Sequence, residues 1–341
     1  MIIDLRSDTV TRPTPEMKEF MWNASVGDDV FSEDPTLNEL QEYAADMFGM
    51  EAALFCPSGT MTNQIAIKVQ TQPGDEVICE SGAHIHYYEG GGLAFNSGVS
   101  VKPIIGNRGV FTADQVSSEL RPENVHFSRT SVVAIENTCN RGGGKVFDFE
   151  EIVKIGAVCE HNDMRLHLDG ARLFNSIVAE ARNPKEFGKL FDSISICLSK
   201  GLGAPVGSLL LGDKKLIEKA LRIRKVLGGG MRQAGYMAAA GLYALQNNVD
   251  RLEQDHQLAK DIESCLQRQT YVENVLPVET NIVVFDLVSE VDVADFLSHL
   301  ENLGIKCFEV DDHKIRFVTH LDVPNRALEI VESALESYSL A

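Results

Sequence analysis

Short apolar segments alternate with longer amphipathic segments through most of this chain. The apolar segments have the length of strands, and six of them have the sequences AALFCPS, DEVICES, SVVAIEN, RLHLDGA, SISICLS and GSLLLG. Alternation of strands with helix-length segments is typical of a mainly parallel sheet covered by helices. The pattern therefore predicts an α/β fold.

The clearest helix signal lies at residues 34–49, which have the sequence DPTLNELQEYAADMFG. Asp34 suits the N-cap, Pro35 suits the first helical position, and Gly49 lies just beyond the end. A further helix is predicted to begin after the SGT of residues 58–60. Both ends of the first helix, and the start of the second, can thus be predicted from local sequence.

The alternation changes after the Gly-rich stretch LGGGMRQAG at residues 227–235. Long helical segments follow to about residue 268, and then come TNIVVFDL, a predicted helix near 291–302, IKCFEV, HKIRFVT and a terminal helix from about Pro324. This order predicts a separate small α/β domain, and a chain of 341 residues is long enough for two cores. We expect an N-terminal arm and large domain in residues 1–250 and a small domain in 251–341.

Composition and charge narrow the class of protein. The longest apolar runs fall far short of the ~20 residues of a membrane helix, and the first residues, MIIDLRSDTVTRPTPEMKEF, resemble neither a secretory nor a transit segment. The net charge of −19 argues against nucleic-acid binding. The seven cysteines have no zinc-like spacing and suit reduced thiols. We therefore expect a cytoplasmic protein that binds neither membrane nor nucleic acid.

Lys200 lies between the apolar segment SISICLS and a turn with several glycines. A lysine at the end of a buried strand can be desolvated, which lowers the pKa of its amine and makes the amine nucleophilic. A lone lysine in this position is more often structural. Its interpretation therefore depends on the other polar residues at strand ends.

A turn between a predicted strand and a predicted helix contains Ser58, Gly59 and Thr60. Such a turn exposes backbone N–H groups at the positive end of a helix, which suits a phosphate. An ordinary helix cap has the same appearance. Taken alone, the turn does not decide between the two.

Asp169 ends the predicted strand RLHLDGA, and Arg172 follows shortly after it. The carboxyl ends of strands are where ligands bind in open α/β sheets. A carboxylate there can pair with a cationic ring nitrogen, and an arginine can hold a carboxylate or phenolate with two hydrogen bonds. The alternative is a structural ion pair between Asp169 and Arg172 that closes the turn.

The segment SGAHIHYYEGGG contains His84 and His86, two tyrosines and a glycine run. One imidazole could stack on a flat cofactor while a neighbouring ring reaches the substrate. The spacing of the two histidines also suits a metal pair, but no third ligand follows at a zinc-like interval, so we expect no metal. Each histidine, and His126 further along, could equally be structural.

Four features follow one another along the chain: a phosphate-binding turn, a platform of imidazole and aromatic rings, a strand-end aspartate and a strand-end lysine. This is the set of groups that pyridoxal phosphate requires. Lys200 is predicted to bond to the aldehyde of the cofactor as a Schiff base, and Asp169 to pair with its pyridine nitrogen. The order of the four features predicts pyridoxal 5'-phosphate as the cofactor.

Several longer stretches extend this pattern over nearly the whole chain: DLRSDTVTRPTPEM, GDDVFSEDPT, PSGTMTNQ, HLDGAR, CLSKGLGAPVGS and LGGGMRQAG. Together they resemble the signatures of the L-threonine aldolase family of fold-type I pyridoxal-phosphate enzymes. The resemblance implies an aspartate aminotransferase-like large domain with a smaller C-terminal domain. It also implies a homotetramer built from dimers, with active sites at the subunit interface.

The resemblance assigns three sets of residues. The implied catalytic residues are Lys200, His84 and His126. The implied cofactor-binding residues are Lys200, Ser58, Gly59, Thr60, His84, Asp169, Arg172 and Arg232. The implied substrate-binding residues are Ser7, His86, Tyr87, His126, Arg172 and Arg316.

The roles that the resemblance implies are specific. His84 stacks on the cofactor ring, and Arg232 is contributed by the neighbouring subunit. The substrate carboxylate is bound by Ser7, Arg172 and Arg316, and His126 lies near the substrate hydroxyl. His86 departs from the family pattern, in which a different and often aromatic residue occurs, so we expect it to affect substrate preference.

The activity that the resemblance implies is the cleavage of β-hydroxy-α-amino acids, such as L-threonine and L-allo-threonine, to glycine and an aldehyde. Threonine would give acetaldehyde, and a base would remove the proton of its hydroxyl. Other reactions on the same scaffold remain open, namely β-elimination, racemisation and transamination. A catalytically silent cofactor-binding protein is a further alternative.

Overall fold

The computed structural model describes residues 2–324 and 326–339. Within these ranges, no helix is both long and apolar enough to cross a bilayer. The strands of the described chain are β1 (Ile3–Asp4), β2 (Ala52–Cys56), β3 (Glu76–Glu80), β4 (Ser100–Ile104), β5 (Thr130–Glu136), β6 (Arg165–Gly170), β7 (Ser193–Cys197), β8 (Ser208–Gly212), β9 (Val272–Val275), β10 (Ile282–Leu287), β11 (Ile305–Lys306), β12 (Phe308–Asp311) and β13 (Lys314–Val318).

The helices of the described chain are α1 (Pro15–Trp22), α2 (Pro35–Phe48), α3 (Gly59–Gln70), α4 (His84–Tyr87), α5 (Ala113–Glu119), α6 (Phe149–His161), α7 (Leu173–Glu180), α8 (Pro184–Leu190), α9 (Lys214–Val226), α10 (Gly235–Asn247), α11 (Leu252–Leu266), α12 (Val293–Asn302) and α13 (Ala327–Ser337). Shorter helical turns lie at Asp8–Val10, Asp29–Phe31 and Leu93–Ser97.

A seven-stranded sheet forms the centre of the large unit, with the order β2-β8-β7-β6-β5-β3-β4. All of its neighbouring pairs are parallel except those of β8, which is antiparallel to β2 and to β7. The carboxyl ends of β3, β5, β6 and β7 therefore meet at one edge. Residues that follow these strands are brought together there.

Both faces of this sheet are covered. Leu209 and Leu211 pack into the largest apolar core, whereas Leu210 packs into a separate cluster on the other face with side chains of α3 and α9. Alternate residues of a strand point to opposite faces, so a strand that is apolar throughout must be buried on both. The α/β architecture predicted from the sequence is confirmed.

Local signals account for the bounds of α2. The Asp34 carboxylate accepts a hydrogen bond from the backbone N–H of Leu37 at 3.0 Å, and Pro35 occupies the first helical position. Gly49 ends the helix with a positive φ of 64°, a backbone conformation that glycine adopts without strain. The predicted helix is confirmed at both ends.

Several strand predictions need correction. β1, β4 and β9 were not among the predicted strands. The sequence of β4, SVKPI, is interrupted by Lys102 and Pro103, and a proline is tolerated at the edge of a sheet. The segment IKCFEV forms two strands rather than one. β11 pairs with β1, whereas β12 pairs with β13, so the chain changes sheets at Cys307.

The C-terminal part of the chain has its own four-stranded antiparallel sheet, with the order β12-β13-β10-β9. Its core contains Phe285, Phe296 and Phe317, and it also contains Ile3 and Leu5 from the N-terminal arm. The arm thus packs with the C-terminal segment. The division of the chain at residue 250 stays a prediction.

Candidate active site

A cavity of about 250 Å³ lies at the carboxyl ends of the parallel strands. Six residues selected from the sequence line it: Ser58, Gly59, Thr60, His84, Asp169 and Lys200. A larger groove of about 610 Å³, at the opposite edge of the sheet, contains none of them. The sequence-based selection therefore identifies the cavity with the candidate chemistry.

The amino end of α3 forms one wall of this cavity. Ser58 caps the helix by accepting a hydrogen bond from the N–H of Met61 at 3.2 Å. Among the described residues, the N–H groups of Gly59 and Thr60 have no acceptor. A β-carbon at position 59 would lie 2.6 Å from Cys197 Sγ, so glycine is required for this close approach. Two free amides at the positive end of a helix suit an anionic group.

Asp169 lies near the carboxyl end of β6 and is 3% exposed. One of its oxygens accepts a hydrogen bond from the side-chain amide of Asn63 at 2.9 Å, and the other accepts from the N–H of Ala171 at 3.2 Å. The alternative considered for this carboxylate, an ion pair with Arg172, does not form, because Arg172 pairs with Asp8. Asp169 is therefore a fixed carboxylate at the wall of the cavity.

His84 begins α4 and is held by two carboxylates. Its Nδ1 lies 2.9 Å from Glu89 Oε1, and its backbone N–H donates to Glu136 at 2.6 Å. The hydrogen bond to Glu89 raises the pKa of His84 despite partial burial of the ring. Burial, followed by the negative charge of Asp169, raises the pKa of Glu136.

One nitrogen or oxygen atom from each of His84, Glu89 and Asp169 lies within 4.8 Å of the others. Hydrogen bonds among these groups and Asn63 already engage the His84 Nδ1 and both carboxylates. The expectation that no metal is bound stays a prediction.

Lys200 follows β7 and lines the cavity. Within the described chain, its amine makes no hydrogen bond or ion pair with a side chain. Its positive charge is close enough to lower the pKa of Asp8, together with Arg172. A lysine beside a cavity, without a fixed partner, is available for reaction with a ligand there.

Arg172 is buried and makes its main contact with Asp8, in the N-terminal arm. Two hydrogen bonds of 2.7 Å join the guanidinium to both carboxylate oxygens. Burial opposes the charge of Arg172, but the Asp8 carboxylate outweighs it and raises the pKa of Arg172. Its third nitrogen, Nη1, lies 3.4 Å from Asn140 Oδ1. Only this end of the guanidinium remains to bind a further ligand.

Arg316 reaches the same amide from the C-terminal sheet. Its Nη1 donates to Asn140 Oδ1 at 3.1 Å, and Nη2 donates to the carbonyl of Arg6. Within the described chain, the buried Nε has no partner. Burial, followed by the like charge of Arg172, lowers the pKa of Arg316. Two guanidinium groups that meet at one neutral oxygen form a place suited to a carboxylate.

Three further residues predicted to bind substrate, namely Ser7, Tyr87 and His86, lie in different surroundings. Ser7 precedes Asp8 and accepts a hydrogen bond from the N–H of Thr9 at 3.2 Å. Tyr87 is 60% exposed, and its ring lies 4.8 Å from the guanidinium of Arg141. His86 is exposed and does not line the cavity. The structure does not test its effect on substrate preference.

His126 and Arg232 do not join the cavity within one chain. His126 precedes the amino end of β5, whereas Asp169 is aligned with Glu136 at its carboxyl end. A seven-residue strand separates these ends by about 20 Å at ~3.3 Å per residue. Arg232 forms an ion pair of 2.9 Å with Asp28 instead. Neither residue is among those that line the cavity.

Sequence reasoning missed several polar residues that organise the site: Asp8, Asn63, Glu89, Glu136 and Asn140. Four of them lie in or next to stretches that had been selected for other residues. Most of their partners are distant in sequence, and no local pattern indicated which groups would meet. Their roles became apparent only from the distances.

Comparison with known families defines the class of protein. The family model for beta-eliminating lyases matches residues 4–290, most of the chain. The structure also superposes on that of a threonine aldolase from Leishmania major with a TM-score of 0.82 and 19% sequence identity, covering 97% of this chain and 98% of the other. This likeness confirms the fold predicted from the sequence.

Curated relatives place the chain more closely. It is 42% identical to the low specificity L-threonine aldolase of Escherichia coli, over 96% of each chain. It is also 42% identical to the low-specificity L-threonine aldolase 1 of Arabidopsis thaliana, over 93% of this chain and 91% of the relative. The chain belongs to the L-threonine aldolase family of beta-eliminating lyases.

Proposed function

We propose that this protein is a pyridoxal-phosphate-dependent aldolase that cleaves β-hydroxy-α-amino acids to glycine and an aldehyde. L-Threonine and L-allo-threonine are the proposed substrates, and acetaldehyde is their second product. The observation that carries this proposal is a single cavity lined by Lys200, Asp169, His84 and the amino end of α3. Membership of the family supports it independently.

The residues present fit pyridoxal phosphate. The free amides of Gly59 and Thr60 suit its phosphate, and the close approach of residue 59 to Cys197 leaves no room for a side chain there. Asp169 supplies a buried anion for a protonated ring nitrogen, and Lys200 supplies an amine for the aldehyde. When bound, the cofactor supplies the electron sink that the carbon–carbon cleavage requires.

The remaining contribution of the protein is to bind and orient the substrate. Nη1 of Arg172 and the unpaired Nε of Arg316 suit the α-carboxylate, with Ser7 beside them. Fixing the carboxylate at one place determines which bond of the α-carbon faces the electron sink. Asp8 keeps Arg172 in position, because two hydrogen bonds fix the plane of its guanidinium.

The wider assembly is part of this proposal. We take residues 1–250 and 251–341 as two domains, and a homotetramer in the cytoplasm as the working form. In that form Arg232 and His126 would belong to the active sites of neighbouring copies. Neither residue lines the cavity of its own chain, which supports this role. Membranes and nucleic acids are not proposed as partners, in keeping with the net charge of −19.

The experiment is an absorption spectrum of the purified protein with added cofactor, followed by titration with L-threonine and L-allo-threonine. A visible absorption band and equal amounts of acetaldehyde and glycine are expected. Lys200→Ala should abolish both the covalent attachment of the cofactor and turnover. Lys189→Ala, at an exposed lysine of α8, is the matched control and should change neither.

Three outcomes would redirect or contradict the proposal. A bound cofactor without acetaldehyde would favour β-elimination, racemisation or transamination, which analysis of the products distinguishes. No band after addition of cofactor would contradict the role of Lys200. Normal turnover in Lys200→Ala would contradict the whole mechanism.

A further inference from the structure

Glu89 is a buried carboxylate that does not itself line the cavity but contacts side chains that do. It is 8% exposed and belongs to the segment that follows α4. Its Oε1 lies 2.9 Å from the amide nitrogen of Asn63 and 2.9 Å from His84 Nδ1, and its Oε2 lies 2.6 Å from the amide nitrogen of Gln64. Three nitrogen atoms thus surround this one carboxylate.

The orientation of both amides follows from their other partners. Asn63 Nδ2 also faces Asp169 Oδ2 at 2.9 Å, and an amide oxygen between two carboxylates would be repelled by both. Gln64 Oε1 accepts a hydrogen bond from Asn96 at 3.0 Å, which leaves its nitrogen for Glu89. Both amides therefore donate to Glu89, as an ionised carboxylate requires.

A second chain of hydrogen bonds fixes Asn63 from the other side. His167 is fully buried, and burial lowers its pKa to about 4, so its ring is neutral. Its Nε2 donates to Asn63 Oδ1 at 3.2 Å. Its Nδ1 must then accept from the hydroxyl of Ser193 at 2.8 Å, and that hydroxyl accepts from Gln70 at 2.8 Å. Every polar hydrogen atom along this series of hydrogen bonds therefore has one assigned position.

These assignments determine the state of His84. An ionised carboxylate only accepts hydrogen bonds, so Nδ1 of His84 carries the hydrogen atom that lies between it and Glu89. In the neutral ring, Nε2 is then the only nitrogen with a free lone pair. Within the described chain, no protein group donates to that nitrogen.

We propose that Glu89 is a positioning residue, which fixes His84 in the Nδ1–H form so that Nε2 can accept a proton in the cavity. The effect of Glu89 on catalysis rests on the proposed function. Its effect on the tautomer of His84 depends only on residues of the protein. Asn63, held by His167, serves the same purpose because its one amide donates to both Glu89 and Asp169.

The charges around His84 set the direction of its pH dependence. Glu89 follows on the same segment, Asp169 faces His84 from β6, Glu136 from β5, and Lys200 from the end of β7. The hydrogen bond to Glu89 is the largest influence, and it raises the pKa of His84. Because the pKa of His84 is raised, the ring stays doubly protonated up to a higher pH. A doubly protonated ring cannot accept a further proton. Replacing Glu89 should therefore lower the pKa of His84.

The first test uses cofactor-free protein labelled with ¹⁵N-histidine, with His84→Asn to assign the resonance. The nitrogen chemical shifts distinguish the two neutral forms, and a pH titration gives the pKa. We expect the Nδ1–H form in the wild type and a pKa lower by about one unit in Glu89→Gln. An Nε2–H form, or an unchanged titration in Glu89→Gln, would overturn the proposal.

The second test compares the pH profile of kcat for threonine cleavage in the same proteins. Glu89→Gln should move the acid limb to lower pH by about one unit and reduce kcat at neutral pH by about tenfold. Glu89→Asp, which keeps the charge, should move the limb less. Glu76→Gln is the matched control, because Glu76 is also buried and hydrogen-bonded, but to Arg121 at the other edge of the sheet. Its profile should keep the wild-type shape.

The two tests separate the possible failures. If wild-type protein does not cleave threonine, the proposed function fails, while the tautomer of His84 is still measured. If cleavage occurs and Glu89→Gln lowers kcat equally at every pH, Glu89 is merely structural and this inference is wrong.

Discussion

Two buried arginine–aspartate pairs in this protein have the same chemical groups and different surroundings. Arg172 donates twice to Asp8, at 2.7 Å each, beside the candidate active site. Arg224 donates one hydrogen bond to Asp29 at 2.6 Å, and another of its nitrogen atoms donates to the backbone carbonyl of Phe55. All four side chains are at most 7% exposed. Burial is therefore not what distinguishes the pairs.

The two carboxylates respond to burial in opposite ways. Burial opposes the ionisation of Asp8, but Arg172 outweighs it and, with help from Lys200 and Asn281, lowers the pKa of Asp8 to about 2. The number of direct donors explains this result, since each hydrogen bond to the charged form favours that form.

Asp29 has fewer donors and more acidic neighbours. Burial raises the pKa of Asp29 more than its one arginine lowers it, and the nearby Asp34 and Asp28 add to the rise. The comparison shows that a buried ion pair is not one kind of interaction. Asp8 is held firmly as an anion that fixes the guanidinium of Arg172, whereas Asp29 connects a surface turn to α9 and β2.

The largest effect is expected from Asp8→Asn. It leaves the Arg172 guanidinium buried without an anion, which should lower the free energy of unfolding by about 3–5 kcal/mol. Urea denaturation of the cofactor-free protein measures this. Asp322→Asn is the matched control, because its partner Arg12 is exposed, and it should cause little change. Equal losses in the two variants would contradict the importance of burial and of the two donors.

A smaller loss, of about 1–2 kcal/mol, is expected from Asp29→Asn, because this carboxylate receives one arginine hydrogen bond and already resists ionisation. The pH dependence of this loss distinguishes Asp29 further from Asp8. A raised folded-state pKa means that the native protein binds the proton more tightly, so the stability contributed by Asp29 falls as pH rises above about 4.

The cost of Asp29→Asn should therefore decrease between about pH 4 and 7. Over the same range the cost of Asp8→Asn should rise slightly or stay level, since the pKa of Asp8 is depressed and its contribution is lost only as pH falls towards 2. Urea midpoints at several pH values measure both trends. Parallel trends would show that the two carboxylates ionise alike.

The smallest effect on folding is expected from Arg232→Ala, which removes an exposed ion pair with Asp28 near the second pair. The stability of the chain should hardly change. Affinity for pyridoxal phosphate should fall if Arg232 serves a neighbouring copy, and a titration of cofactor absorbance measures it. Unchanged affinity would remove Arg232 from the proposed site.

Much of the fold could be predicted because its signals are local. β5 and β8 are apolar on both faces, and α2 has a capping aspartate, a proline and a terminal glycine in order. β4 was not predicted because this edge strand is only partly buried, and Lys102 and Pro103 interrupt its apolar residues. The exposure of this strand to solvent is the physical reason that it was not predicted.

The candidate site could be predicted in part for a related reason. Lys200, Asp169 and the turn at Ser58 each follow a recognisable strand, and parallel topology brings such strand ends to one edge. The partner of Arg172 could not be predicted. The sequence left open an ion pair with Asp169, three residues away, whereas the structure supplies Asp8 from the N-terminal arm.

The sequence by itself determined the α/β architecture, most strand and helix positions, and six of the residues that line the cavity, because periodicity, capping and turn chemistry act between near neighbours. Only the tertiary structure decided which polar groups meet: Asp8 with Arg172, Asn140 with both Arg172 and Arg316, and Asn63 with Glu89 and Asp169. Hydrogen-bond partners are selected by distances of about 3 Å between segments far apart in the chain. Those distances depend on the packing of the whole molecule, which no local pattern encodes.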